Sequence, residues 1–154
     1  MRRSLCCATV LLSLVACGET PPPCSSSAPE PSAPSAGCLV PTEGGVLLVK
    51  DWSGEWALPG GSVKKSESAR CGAEREVFEE TGLAVQAGDL AAVFDNGFHL
   101  YWCTVSSPDA LHIHRPLEVR EVAWLAPDAV PASSWRYPGQ GEMIADLIAG
   151  QSPK

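Results

Sequence analysis

Basic side chains are scarce in this chain: lysine and arginine number 11 against 18 aspartates and glutamates, a formal net charge of −7 over 154 residues. A long nucleic-acid partner is excluded by that balance, because phosphate contacts need a Lys/Arg-rich surface. Histidine occurs three times and no Cys-x-x-Cys pair is present, so nothing points to a zinc or dithiol redox centre. No apolar run reaches the roughly 20 residues that a membrane-spanning helix needs, and no internal repeat is visible. What is plentiful is glycine and proline, 14 of each, too many helix breakers for a coiled coil or a helical bundle. Seven cysteines are also many for so short a chain, and they point to an oxidising compartment or a metal site. A hydrophobic fraction of 45 % suffices for the core of one domain.

The N-terminus favours the oxidising compartment. Arg2 and Arg3 precede an apolar stretch from Leu5 to Ala16, which is the pattern of a secretory signal over residues 1–16. Leu14-Val15-Ala16-Cys17 resembles a bacterial lipobox, and the resemblance implies that Cys17 carries a lipid anchor in the cell envelope, facing the periplasm or exterior. Gly18 and Glu19 lack the Asp that retains such proteins at an inner membrane. Loss of Arg2 and Arg3 leaves nine basic against 18 acidic residues. Residues 17–36 follow as a tether rich in Pro and Ser with no large apolar side chain, which cannot bury enough surface to offset its ordering entropy.

A folded unit is expected over 37–150, with a short tail at 151–154. Cys38–Val40 and Val46–Val49 flank Glu43-Gly44-Gly45 as a hairpin, and Leu90–Phe94, His99–Val105 and Val119–Leu125 read as further strands. Ser66 can cap a helix running to Thr81, with Glu67 in its first turn and Gly82 at its C-terminal stop. Glu142–Ala149 reads as a short amphipathic helix closed by Gly150. Strands on both sides of a helix, with a second helix at the end, imply an α/β fold with a mixed sheet.

Gly61 to Leu83, GSVKKSESARCGAEREVFEETGL, carries the chemistry. At 100° per residue, Glu76, Glu79 and Glu80 fall on one helix face within an arc of about 100°. Three carboxylates so close repel one another unless a cation sits among them. An all-oxygen set suits a hard divalent ion such as Mg²⁺, whereas a solvated acidic face with Lys or Arg neighbours would produce the same spacing.

The segment is similar to the Nudix box, G-x5-E-x7-R-E-U-x-E-E-x-G-U with U aliphatic. Gly61, Glu67, Arg75, Glu76, Val77, Glu79, Glu80, Gly82 and Leu83 fit it without departure. From average residue usage, chance gives such a match on the order of 10⁻¹⁰ per window. Trp56-Ala57-Leu58-Pro59-Gly60 also resembles the lead-in of that family. The resemblance implies a Nudix-type α/β/α sandwich and Mg²⁺-dependent (or Mn²⁺-dependent) hydrolysis of a nucleoside diphosphate linked to another moiety. By the same resemblance Glu76, Glu79 and Glu80 are metal ligands, with the Gly60 carbonyl as a fourth. Arg75 orients the glutamates, and Glu67 supports them from behind. The general base varies in place within the family, in the box or on a later loop. Glu118 and Glu121 are the later candidates, with Glu118 preferred, and a regular strand would put them on opposite faces.

Around this box the sequence says less. Gly72 costs a helix interior about 1 kcal/mol relative to Ala, which close packing against a sheet would explain. Cys71 lies away from the carboxylate arc. Cys24, Cys38, Cys71 and Cys103 allow three pairings, and Cys103 could equally be a buried free thiol. Phe98 and Tyr101 are candidates to stack on a substrate base. Tyr101, 18 residues past Leu83, resembles a feature of family members that cleave dinucleoside polyphosphates, and the absence of Pro between Leu83 and Pro108 differs from the ADP-ribose pattern. His112 and His114 would share a strand face. A small-molecule diphosphate hydrolase is the expectation, with a Nudix-fold binding or sensor module as the alternative.

Overall fold

The computed structural model describes residues 20–25 and 32–151. Residues 1–16 and Cys17 lie outside them. Eight strands and two helices follow in chain order: β1 (Ser35–Leu39), β2 (Pro41–Thr42), β3 (Gly45–Lys50), β4 (Trp56–Ala57), β5 (Gly60–Ser62), α1 (Ala69–Thr81), β6 (Val85–Val93), β7 (Phe98–Val105), β8 (Glu121–Leu125) and α2 (Gln140–Gln151). Four strands form a sheet in the order β5-β1-β7-β6, where β1 runs parallel to β7 and the other pairs are antiparallel. The second sheet is centred on β3, flanked by β8 along one edge and by β2 and β4 along the other.

Strand alternation divides the apolar residues between two cores. Cys38, Val40, Leu47, Tyr101 and Cys103 point to one side, where Ala69, Ala73 and Val77 of α1 cover them. Leu39, Val46, Leu48 and Leu100 point to the other, where Ile144, Met143 and Leu147 of α2 and the Trp135 ring close the layer. The result is the expected α/β/α sandwich with a mixed sheet.

Several boundaries differ from the sequence reading, each for a local reason. Ser68, not Ser66, caps α1: its Oγ accepts from Cys71 N at 3.2 Å, while Glu67 stays outside the helix and turns to Arg75. Gly82 ends α1 as expected, in the left-handed region at φ 74°, where a Cβ would meet His112. β1 begins at Ser35, two residues before Gly37, because Ala36 is fully buried and pairs with both His99 and Gly61. β6 starts at Val85, with register shifts at Ala87/Leu90 and Leu90/Ala92 that hide its alternation in the sequence. Residues His112 and His114 belong to a loop rather than a strand, with the His114 ring 4.8 Å from that of Phe78.

Two disulfides resolve the cysteine pairing. Cys38 on β1 joins Cys103 on β7, so Cys103 is not a free thiol. Cys24 joins Cys71 of α1, and Ser25 donates to the buried Glu74 from both its N–H and its hydroxyl. That part of the Pro/Ser-rich segment is therefore fastened to the helix. Among the described residues no helix is long and apolar enough to cross a membrane.

Candidate active site

Helix α1 lies along the β5 side of the first sheet and turns its acidic face to the Gly60–Ser62 strand. At the centre stands Arg75, whose side chain is only 9 % exposed and which spends all five guanidinium donors on acceptors. Nε and Nη2 each donate to a different oxygen of Glu67 at 2.8 Å, and Nη2 also donates to the Ser62 carbonyl. Nη1 donates to Glu76 Oε1 at 2.7 Å and Glu79 Oε2 at 3.0 Å. The fork fixes both glutamates and clamps the helix to the loop before it. Burial pushes the Glu67 carboxyl up, but the Arg75 hydrogen bonds and the Lys64 N–H outweigh it and hold it below its ordinary value. The carboxylates in turn push the Arg75 pKa up against its own burial.

Glu80 extends to the opposite strand, where its Oε2 accepts from Gly60 N–H at 2.9 Å. Burial raises its pKa to about 8, assisted by the charges of Glu76 and Glu118 and opposed by the Gly60 hydrogen bond. The side chain is nonetheless partly open to the cleft. Gly61 is the other fixed point, since a Cβ there would lie 2.5 Å from the Glu76 carboxyl carbon. Only a residue without a side chain lets that carboxylate rest on the strand. Gly72 is explained differently from the expectation: its Cβ would meet Val63 Cγ2 at 2.9 Å, so the close neighbour is the loop leading into the helix, not a sheet.

The turn Arg115–Val119 completes the cleft from the far side. Glu118 N and Val119 N both donate to the Arg115 carbonyl, Val119 is buried, and Trp52 Nε1 donates to Pro116 O at 3.0 Å. Arg115 and Glu118 are thereby brought side by side and pair at 3.1 Å. The Arg115 guanidinium inserts among the helix glutamates, reaching Glu76 Oε2 at 3.4 Å and bonding Glu79 Oε2. Glu121, first residue of β8, instead pairs with Lys50 at 3.3 Å on the surface. Its separation from Glu118 arises from this turn, because Glu118 precedes the strand and does not alternate within it.

The cleft so formed has a volume of about 600 Å³ and is lined by Gly60, Gly61, Glu76, Glu80, Arg115 and Glu118, with Lys64 and Arg136 at its edges. Gly60, Glu80 and Arg136 also line a second, more apolar pocket of about 290 Å³. Phe98 lines this pocket together with Phe94, Tyr137 and Met143. Asn96 and Gln140 add amides, and the Gln140 Oε1 atom is buried without a hydrogen-bond partner. Tyr101 is elsewhere. It is 3 % exposed in the core beneath α1, with the Arg70 guanidinium 5.3 Å from its ring centroid, and it lines neither cavity. Its side chain follows the odd face of β7, whereas the pocket opens on the even face that carries Phe98.

Sequence reasoning allowed Glu118 to pair with Arg115, as it does, but passed over Arg136, Asn96, Gln140 and the reach of Arg115 to Glu76 and Glu79. No spacing rule links these residues to the box, since loops and the start of α2 bring them in. The donor set itself fits a hard divalent cation: Glu76, Glu79 and Glu118 already gather around a positive charge, that of Arg115, and Glu80 is a buried carboxyl that a cation would keep ionised. Among the described residues no three acidic, His or Cys side chains converge as ligands.

Comparison with known proteins agrees with the geometry. The NUDIX domain family model matches residues 31–147, and the chain belongs to the Nudix family. It is 33 % identical over 109 residues to a MutT-like protein of Streptomyces ambofaciens, covering 69 % of this chain and 71 % of that one. Over 120 residues it is 31 % identical to diphosphoinositol polyphosphate phosphohydrolase 2 of Rattus norvegicus, covering 70 % of this chain and 65 % of the relative. Among solved structures, an ADP-ribose pyrophosphatase from Streptococcus suis superposes with TM-score 0.64 at 25 % identity, covering 78 % of this chain and 92 % of that one. The chain is a Nudix pyrophosphohydrolase.

Proposed function

We propose that this chain is a Mg²⁺-dependent hydrolase, with Mn²⁺ as a substitute, that cleaves the diphosphate of a nucleoside diphosphate linked to another moiety, outside the cytoplasm. The observation that carries this reading is the adjacency of the two cavities: an acidic cleft suited to a metal-bound diphosphate shares Gly60, Glu80 and Arg136 with an aromatic pocket. The relatives named for diphosphoinositol polyphosphate and for ADP-ribose share a diphosphate attached to a bulky group. A polyphosphorylated ring would need several cations in its pocket, and Arg136 is the one basic residue lining this one. A base stacked on the Phe98 or Tyr137 ring suits it better.

Glu76, Glu79, Glu80 and the Gly60 carbonyl would hold the cation. When bound it supplies charge neutralisation on the diphosphate and acidifies the attacking water. Arg75 keeps Glu76 and Glu79 in position, and its own link to Glu67 holds its guanidinium in place. Glu118 is the proton acceptor: it lines the cleft, and no Gly60 or Arg75 bond engages it. Lys64 and Arg136 meet the outer phosphate oxygens.

The location rests on the lipobox-like Leu14–Cys17, with two disulfides in the described fold as support, since such pairs persist where thiols are oxidised. The test is turnover of the chain, purified with its disulfides intact, on ADP-ribose, nucleotide sugars, dinucleoside polyphosphates and a diphosphoinositol phosphate with Mg²⁺. Release of a nucleoside monophosphate is expected. No product from any of them with Mg²⁺ or Mn²⁺ overturns the reading. For the anchor, mass analysis of the mature N-terminus from parent and Cys17→Ala cells should show a lipidated Cys17 and its loss.

A further inference from the structure

Arg75 and Arg115 both contact Glu76 and Glu79, but they hold them differently. Arg75 is buried in α1, and its five bonds include the two to Glu67 and one to the Ser62 carbonyl, so it is fixed from behind. Arg115 comes from a surface turn, is 31 % exposed, and among the described residues its guanidinium donates to carboxylates alone: Glu76, Glu79 and Glu118. At Glu76 the two divide the oxygens, Arg75 on Oε1 and Arg115 on Oε2, whereas at Glu79 both donate to Oε2.

A divalent cation held by Glu76 and Glu79 needs the oxygens that Arg115 meets. It cannot share them with a guanidinium, because both are positive and would occupy the same few cubic ångströms. Resting on the metal-dependent reading above, we propose that Arg115 is a built-in counter-ion that competes with the metal for the glutamates and, once released, turns to the diphosphate as a phosphate-binding residue. The Trp52–Pro116 hydrogen bond and buried Val119 hold the turn in place, so the side chain alone swings and its guanidinium stays within the cleft it already lines. There the planar fork suits two oxygens of a diphosphate. Neither Lys64, 3.9 Å from Glu79, nor Arg136, 3.8 Å from Asp51, is inserted in this way.

The two roles have opposite signatures in one variant. Removing a competitor tightens the metal, and if Arg115 occupies the carboxylates about 90 % of the time, the apparent Kd for Mn²⁺ in Arg115→Met falls about tenfold. Removing a phosphate ligand weakens the anion, so affinity for inorganic pyrophosphate at saturating Mn²⁺ falls about tenfold or more. Arg115→Lys keeps the charge without the fork and should lie between parent and Met variant in both. Isothermal titration of the full disulfide-bonded chain reads both constants without turnover, and circular dichroism establishes that each variant is folded. A side chain that only braces the loop would lower the melting temperature and leave both constants where they were. Unchanged or weaker Mn²⁺ binding in both folded variants overturns the competition, and unchanged pyrophosphate binding overturns the second role. A parent that binds neither Mn²⁺ nor pyrophosphate sinks the metal-dependent reading instead.

Discussion

The guanidinium of Arg75 meets both oxygens of Glu67 through two nitrogens, each at 2.8 Å, across eight residues of sequence and the start of a helix. The pair is nearly buried, with side-chain exposures of 9 % and 15 %. Its consequence reaches the site, because the same guanidinium holds Glu76 and Glu79. Glu67→Gln is therefore expected to cost about 3 kcal/mol, as breaking one side of a buried pair does. Folding depresses the Glu67 carboxyl below its ordinary 4.5, so its stabilisation is present above that pH and is lost as pH falls through the folded value. Urea midpoints for parent and variant should be far apart at pH 7 and converge toward pH 3. A gap that stays constant with pH would refute the linkage.

Activity rests on the glutamate face of α1. Glu79→Gln and Glu80→Gln should each lower kcat by orders of magnitude while circular dichroism remains that of the parent, since each removes a carboxylate that would hold the cation. Full turnover of the parent in EDTA would contradict the metal requirement.

Glu118 and Glu121 should behave unequally. The first lines the cleft and the second pairs with Lys50 outside it. Glu118→Gln is expected to reduce kcat by about 10² or more, the scale of general-base catalysis, and Glu121→Gln by less than about twofold. Equal effects in steady-state assays would return the base to the box.

Gly61→Ala tests the seating of Glu76. A methyl 2.5 Å from the carboxyl carbon must displace it, so Mn²⁺ affinity measured by calorimetry should fall at least tenfold with little change in the circular dichroism spectrum. Parent-like affinity would show that Glu76 does not need its place against the strand.

Much of the site was legible because it is local. Arg75, Glu76, Glu79 and Glu80 occupy two turns of one helix, where the 3.6-residue period alone puts the carboxylates on a shared face. Glu67 was legible as a partner but misplaced as part of the helix, because both Ser66 and Ser68 can cap and only the pull of Arg75 on Glu67 selects the second. The burial of Tyr101 was not legible for the opposite reason: strand alternation identifies two faces, but which of them meets the pocket depends on where α2 and residues 135–139 pack.

The sequence by itself determined the helix, its acidic face, its Gly82 stop and the hydrophobic alternation of the strands, since these follow from backbone geometry and from neighbours a few residues away. Only the tertiary structure decided which cysteines pair, which of Glu118 and Glu121 enters the cleft, and that Arg115 stands among the carboxylates. Those outcomes join groups 36 to 65 residues apart. At such separations no periodicity constrains the approach. What does is the burial of Val119 and the Trp52–Pro116 bond, which close a surface turn over the end of the helix face.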